Sequence, residues 1–467
     1  MFHVKHQQGG CIMSSTIAAI ATAQAAAGIG VIRISGPDAR KIASTVFKKM
    51  RGTGIMESAG YTGAYGKIIE NGQVLDEAVA FVFAAPHSYT GEDIVEFSCH
   101  GGMFILQKVL RAVYKAGAVP AEAGEFTKRA FLNGKIDLTQ AEGIQNIIGA
   151  NGEQAARAAI AVREGAMSRQ IAEIKEKLLF CAAHMSVWAD YPDEDIETLE
   201  TEKLKQQLKT ANVILQKKIS QFDAGKALRE GVQTVIVGRP NVGKSTLMNL
   251  LSGTERSIVT PIAGTTRDIV EETVRLGDIV LHISDTAGLR RTDDMIESIG
   301  VDRAKEKIKE AALILAVFDC SQPLEEQDFE LLYMLKGRDA VAVVNKTDLE
   351  EWKIDIEQLQ LLISHVVLVS ASTGEGYQKL EEKVSEIIGT SKLDPSAGIL
   401  ASERQRNCCV RATDALQEAI IALESGMTLD AVNVCTDEAL AALMELTGEK
   451  VTEAVSNEVF SKFCVGK

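Results

Sequence analysis

The chain has 467 residues, 46% of them hydrophobic and only 5% aromatic, with a net charge of −14. That length predicts about two to four domains with ample apolar cores, and the acidic balance argues against a chain-wide grip on nucleic acid, while a local basic patch stays open. Eight cysteines without C-x-x-C pairs near histidines indicate neither a zinc site nor a disulfide framework, so a reducing, cytoplasmic setting fits best.

No apolar run reaches the roughly 18 residues of a membrane span. Residues 1–12 carry His and Lys without an apolar signal core and read as a loose, disordered leader, with Met1 or Met13 as the start. Residues 14–119 alternate short strands (29–34, 61–69, 78–83, 94–97) with helices (39–49, 103–116). Arg33, Glu96 and the turn Cys99-His-Gly-Gly102 lie at strand ends, where the residues by themselves favour solvated ends over a site. From about residue 139 the pattern turns to long helices. Ile171, Ile174, Leu178, Cys181, Met185 and Trp188 step by three and four, the stripe of a helix that packs on another. Proline and acidic residues at Tyr191-Pro-Asp-Glu-Asp195 stop it, and this cluster reads as a solvated turn rather than a metal site. A second stripe, Leu204, Leu208, Ala211, Leu215, Ile219 and Phe222, runs to Gly225, where the helical segment ends.

The β-branched run at Val235 then enters Gly238-Arg-Pro-Asn-Val-Gly-Lys-Ser245, the spacing G-x-x-x-x-G-K-[ST]. Two glycines let backbone N–H groups surround an anion, the following helix adds its positive end, Lys244 reaches the outer phosphates and Ser245 ligates Mg²⁺. Asp285-Thr-Ala-Gly288 follows the alternating stretch 279–283, placing an acid near Mg²⁺ and the Gly288 N–H near a γ-phosphate. Asn345-Lys-Thr-Asp348 follows the apolar strand 340–344, and its aspartate can accept from guanine N1–H and N2–H₂, a donor pair adenine lacks. Ser370-Ala371-Ser372 ends strand 366–369 and fits a loop touching the base O6. The order and register of all four predict GTP, with contacts from Asn241, Val242, Gly243, Lys244, Ser245, Thr246, Thr260, Thr265, Thr266, Asp285, Gly288, Asn345, Lys346, Asp348, Ser370 and Ala371.

Strands followed by helices (244–251, 378–388) predict a mostly parallel, doubly wound sheet, and helices return at 402–424 and 437–446 with Gly448 as a stop. The expected architecture is multidomain, α/β plus all-α. A leader (1–12) precedes an N-terminal α/β domain (13–130), and a GTPase domain (230–390) is inserted between two helical parts (131–229 and 391–467). Leu289 stands where Ras-like switches carry a water-orienting glutamine. Help must come from elsewhere: Glu297, an arginine among Arg267, Arg290 and Arg291, or a cation caged by Asn241 and carbonyls upstream of Thr266.

These motifs, with Ile-Ala-Gly-Thr-Thr-Arg-Asp (262–268), Phe131-Leu-Asn-Gly-Lys135 and the terminal Phe463-Cys-Val-Gly-Lys467, make the chain similar to the MnmE (TrmE) family of tRNA modification GTPases over nearly its whole length. The resemblance implies an N-terminal domain that binds folate and dimerises. It also implies an FAD- and NADH-using partner, MnmG (GidA), in a heterotetramer, and a C5 aminomethyl-type modification of the tRNA wobble uridine. The one-carbon unit would come from a tetrahydrofolate derivative (5-formyl or 5,10-methylene). By family pattern K⁺ falls to Asn241, Thr260, Ile262 and Thr265, Mg²⁺ to Ser245 and Thr266, and folate to Arg33, Glu96, Lys135 and Lys467. Glu297 falls where an acid orients water at one remove, giving a catalytic set of Glu297, Asn241, Lys244, Thr266 and Asp285. Cys464 matches a cysteine once proposed for catalysis, a buried small residue beside the folate being an equal reading. Two departures stand out. Residues 22–28 lack the expected Pro/Gly content, which predicts a more helical or less ordered loop, and Pro261 replaces an acid seen in some relatives. A ribosome-assembly GTPase of the Era or Der type would need a basic KH-like RNA domain with a G-x-x-G loop, which is not found, and a pure signalling switch would not need Lys135 and the Cys-Val-Gly-Lys tail.

Overall fold

The computed structural model describes residues 15–52, 54–190, 201–253, 271–284 and 307–467. The chain divides into two compact units, Met1–Gln145 with Met444–Lys467, and Asn146–Leu443.

The first unit is built on β1 (Ile17–Ile20), β2 (Ile29–Ser35), α1 (Ala39–Val46), β3 (Phe47–Lys49), β4 (Thr62–Glu70), β5 (Gln73–Phe83), β6 (Ile94–His100), α2 (Met103–Lys115), β7 (Val119–Pro120), α3 (Glu125–Leu132) and α4 (Leu138–Ile148). Its seven strands form one sheet in the order β3-β4-β5-β6-β2-β1-β7. Alternation sends Ile32, Ile34, Ala78, Ala80, Val82, Val95 and Phe97 into a core with α1 and α2. The helix predicted over 39–49 stops at Val46, because Phe47 is extended in β3 and stacks its ring on Phe97, 5.5 Å away; packing overrides the helical pattern. β1 escaped notice because Ile17–Ile20 is short and buried throughout, so it shows no alternation. Residues 22–28 form no helix. Instead Thr22 Oγ1 accepts from Val31 N, and Ala27 N donates to Gly101 O.

The second unit continues with α5 (Glu153–Arg163), α6 (Ala166–Asp190), α7 (Thr201–Ser220), α8 (Phe222–Glu230), β8 (Val232–Val237), α9 (Lys244–Gly253), β9 (Glu271–Leu276), β10 (Ile279–Ser284), β11 (Leu313–Asp319), α10 (Glu326–Met334), β12 (Ala340–Asn345), α11 (Ile356–Leu362), β13 (Val366–Leu368), α12 (Tyr377–Ile388), α13 (Glu403–Glu424) and α14 (Leu429–Thr447). The sheet order is β13-β12-β11-β8-β10-β9, parallel except for β9, which pairs antiparallel with β10. β11 and β12 are buried at every residue, the continuous apolar run that a sheet covered on both faces requires.

The GTPase-like sheet is inserted between helices that pack together. Lys205 and Lys209 on α7 pair with Glu424 on α13 at 3.1 and 2.9 Å. Nearby, the buried Lys218 donates to Ala397 O and Gly398 O at 3.3 and 3.0 Å, and burial pushes its ammonium down to about 8. The helical segment does not end at Gly225. α8 runs on to Glu230, and Gly225 sits inside it because a Cβ there would meet Ile399 Cγ2 at 2.5 Å. α14 begins at Leu429 rather than 437, its first turns mixing β-branched Val432, Val434 and Thr436 that blur the helical signal. The β9–β10 hairpin reaches the helices directly: Asp278 Oδ1, in its turn, accepts from Glu153 N at 3.1 Å, capping α5, and His282 Nε2–H, within β10, donates to Glu230 O at 2.8 Å.

The chain then returns to the first unit with α15 (Glu453–Ser461). Val459, Phe460 and Phe463 share a core with Leu138 and Ala141, so the C-terminal helix packs against the start of α4 within the first unit, which takes in residues 1–145 and 444–467.

Candidate functional site

β8 delivers the chain into Gly238, where φ is +144° and a Cβ would run into Val317 O, so the loop starts tight against β11. Gly243 (φ +98°) closes it; a Cβ there would strike Asn345 Nδ2. Between them Asn241 takes the left-handed conformation (φ +63°). Lys244 lies partly buried and folds its ammonium back onto Gly238 O (2.7 Å) and Arg239 O (2.6 Å), and desolvation lowers its pKa. Ser245 and Thr246 follow in the first turn of α9.

The base side stands at the carboxyl ends of β11, β12 and β13, where open α/β sheets bind ligands. Asn345 clips three loops together: its Nδ2 donates to Val242 O at 3.0 Å, and its Oδ1 accepts from Ala371 N at 3.0 Å. Lys346, at φ +67°, pairs with Asp319 at 2.5 Å. Burial raises the Asp319 pKa, but the hydrogen bonds from Lys346 and Ser321 outweigh it and the net shift is downward. Asp348 accepts from Ser370 Oγ at 2.6 Å, the chief cause of its lowered pKa, so the carboxylate is held ionised and aimed.

A second polar site lies in the first unit. Arg33 Nε meets Glu96 Oε1 at 2.7 Å across the paired β2 and β6, and its guanidinium sits 5.6 and 5.5 Å from the Tyr89 and Phe126 ring centroids. Arg33 Nη1 also donates to Gly466 O at 3.3 Å, tying in the C-terminal tail, which forms a bridge from Val465 to Ala123. Beneath lies Arg129, with its side chain 4% exposed, paired to Glu92 (3.1 Å) and Glu125 (2.8 Å) and donating to Ser15 O at 2.8 Å.

The family model of the MnmE helical domain matches residues 138–464, and that of the TrmE GTP-binding protein N-terminus matches residues 16–135. The chain is 40% identical over 458 residues to the tRNA modification GTPase MnmE of Clostridioides difficile (strain 630), covering 97% of this chain and all of that one. The chain belongs to the MnmE family of tRNA modification GTPases. The same name is carried by a relative from Lactococcus lactis subsp. cremoris (strain MG1363), 40% identical over 454 residues, 97% of this chain and 98% of that protein. Among solved structures, the G domain of the T. maritima FeoB iron transporter aligns at 30% identity over 33% of this chain and 98% of its own, with a TM-score of 0.25.

Of the positions the MnmE pattern assigns to nucleotide, the structure brings together Asn241 to Thr246 with Asn345, Lys346, Asp348, Ser370 and Ala371 at one end of the sheet. Thr260, Ile262, Thr265, Thr266, Asp285, Gly288 and Glu297 lie outside the described residues, as do Pro261, Leu289, Arg267, Arg290, Arg291, residues 1–12 and the Tyr191–Asp195 cluster. Of the folate positions, Arg33 and Glu96 pair directly. Lys135 instead donates to Pro86 O at 3.0 Å, and Lys467 follows the Gly466 carbonyl that Arg33 holds. Cys464 is exposed in this structure. Sequence reasoning missed Arg129, Glu92, Tyr89 and Phe126.

Proposed function

We propose that this chain hydrolyses GTP to drive modification of tRNA. With an FAD-dependent partner of the MnmG (GidA) type, in a heterotetramer, it installs a C5 (carboxymethyl)aminomethyl group on the wobble uridine in the cytoplasm. The observation that carries the reading is the 40% identity to MnmE proteins along 97% of the chain, joined to a phosphate loop built as the sequence requires. Among the described residues no helix is long and apolar enough to cross a membrane.

The nucleotide-side residues suit a guanine nucleotide. Glycine at 238 and 243 leaves room only for backbone, α9 offers its N-terminal end to phosphate, and Asp348 is poised to accept two base donors. Ser245 and Thr266 would hold Mg²⁺, and Asn241, left-handed in the loop, would hold K⁺ with Thr260, Ile262 and Thr265. A cation there supplies the positive charge that an arginine finger or glutamine-ordered water supplies elsewhere. Glu297 and Asp285 would order the attacking water and the Mg²⁺ shell, and Lys244 would bind the outer phosphates. Arg33, Glu96, Lys135 and Lys467 would hold the tetrahydrofolate derivative. A carboxylate beside a guanidinium with aromatic neighbours fits a flat heterocycle that presents N–H donors. Tyr65 and Phe81, exposed on the first unit's sheet, with the exposed Tyr61 just before β4, support dimerisation through that unit.

Two measurements test this. Nucleoside analysis of tRNA from cells lacking the gene should show loss of the C5-substituted wobble uridine, and unchanged tRNA would defeat the proposal. GTP hydrolysis should run about a hundredfold faster in KCl than in NaCl, the scale of one preorganised electrostatic contact; equal rates would reject the cation cage while leaving the RNA chemistry standing.

A further inference from the structure

The second residue of the phosphate loop is anchored outside the loop. Arg239, with its side chain only 16% exposed, places Nη1 2.5 Å from Glu325 Oε1 and Nε 2.9 Å from Asp328 Oδ2, and donates from Nη2 to Pro323 O at 3.3 Å. These acceptors are the start of α10. Glu325 and Asp328 form its capping box, Glu325 N donating to Asp328 Oδ2 at 3.0 Å, and the Asp328 side chain is 1% exposed. A carboxylate so buried needs a cation beside it. Burial lowers the Arg239 pKa, but the two carboxylates outweigh it, and the guanidinium is held charged.

The backbone of the same residue faces the other way. Its carbonyl, with that of Gly238, receives the Lys244 ammonium at 2.6 and 2.7 Å. Pro240 follows with a fixed φ, and then Asn241 in its left-handed turn. Side chain and carbonyl of one residue therefore link the cap of α10 to the phosphate-binding lysine.

We propose that Arg239 is a positioning residue for GTP: its ion pairs with Glu325 and Asp328 fix the first half of the phosphate loop, so that the carbonyls of Gly238 and Arg239 hold Lys244 where the outer phosphates dock. Arg239 itself points away from the nucleotide. The clamp acts on phosphate binding, so GDP and GTP share the benefit and the cleavage step at saturation does not depend on it.

The inference rests on reading residues 238–245 as the phosphate loop, and the experiment separates the two. In the full-length protein, Arg239→Gln should weaken GDP and GTP binding equally, by about tenfold, the worth of one charge-assisted hydrogen bond, and should raise KM while leaving kcat within about twofold. Asp328→Asn, which keeps a capping side chain but removes the charge, should do the same. The double variant should be no weaker than the worse single one, because the two groups act as a unit. Arg239→Lys should recover part of the loss. A purely structural role would lower the active fraction, and so kcat, at unchanged KM; that result in both Arg239→Gln and Asp328→Asn overturns the proposal. Lys244→Ala is the control. If it too binds nucleotide normally, the loop assignment itself fails, whereas if it alone loses binding, only the Arg239 clamp is refuted.

Discussion

In the Asp348→Asn protein, GTP affinity is expected to fall roughly 10²–10⁴-fold and XTP binding to rise correspondingly, the range seen when a polar site meets a ligand lacking its hydrogen-bond complement. The carboxylate accepts from N1–H and N2–H₂ of guanine. An amide in its place keeps one acceptor for N1–H but turns an N–H₂ toward position 2, where xanthine presents a carbonyl. The surrounding frame should survive the change, since Ser370 Oγ can donate to an amide oxygen as it does to Asp348 at 2.6 Å, and Asn345 holds the neighbouring loops independently. Competition of GTP and XTP for a fluorescent nucleotide reads the result directly. A variant still preferring guanine would refute the base assignment.

Arg129→Met is expected to cost the first unit about 3–5 kcal/mol, the penalty for removing one partner from a buried ion pair. The methionine fills much of the same volume but leaves Glu92 and Glu125 facing each other without the guanidinium that both now contact, and strips Ser15 O of its donor. Hydrogen exchange should show amide protection in β2 and β6 reduced by roughly 10²–10⁴-fold, with β11 and β12 of the second unit unchanged. Unaltered exchange in β2 would mean that the triad contributes nothing to the unit's stability.

What the sequence made legible follows from the range of the forces involved. The phosphate loop could be read because its determinants are local: a β-branched strand, two glycines at positive φ and a helix start lie within a dozen residues. The Asn345 loop could be read for the same reason, although its clip onto Val242, 103 residues away, could not. Arg129 left only its pairing with Glu125, one helical turn earlier, as a local trace, since Ser15 and Glu92 lie 114 and 37 residues off. The folate positions were legible only through resemblance. Nothing near Arg33 announces that Glu96, Phe126 and the Gly466 carbonyl converge on it. Phe47 shows the opposite failure, a local helical pattern defeated by one distant ring, Phe97.

The β9–β10 hairpin carries two grips, Asp278 of its turn on the first amide of α5 and His282 of β10 on the last carbonyl of α8. The sheet that carries the phosphate loop is therefore tied to α5 and α8 by two hydrogen bonds, each on the order of 1 kcal/mol, as well as by the covalent chain.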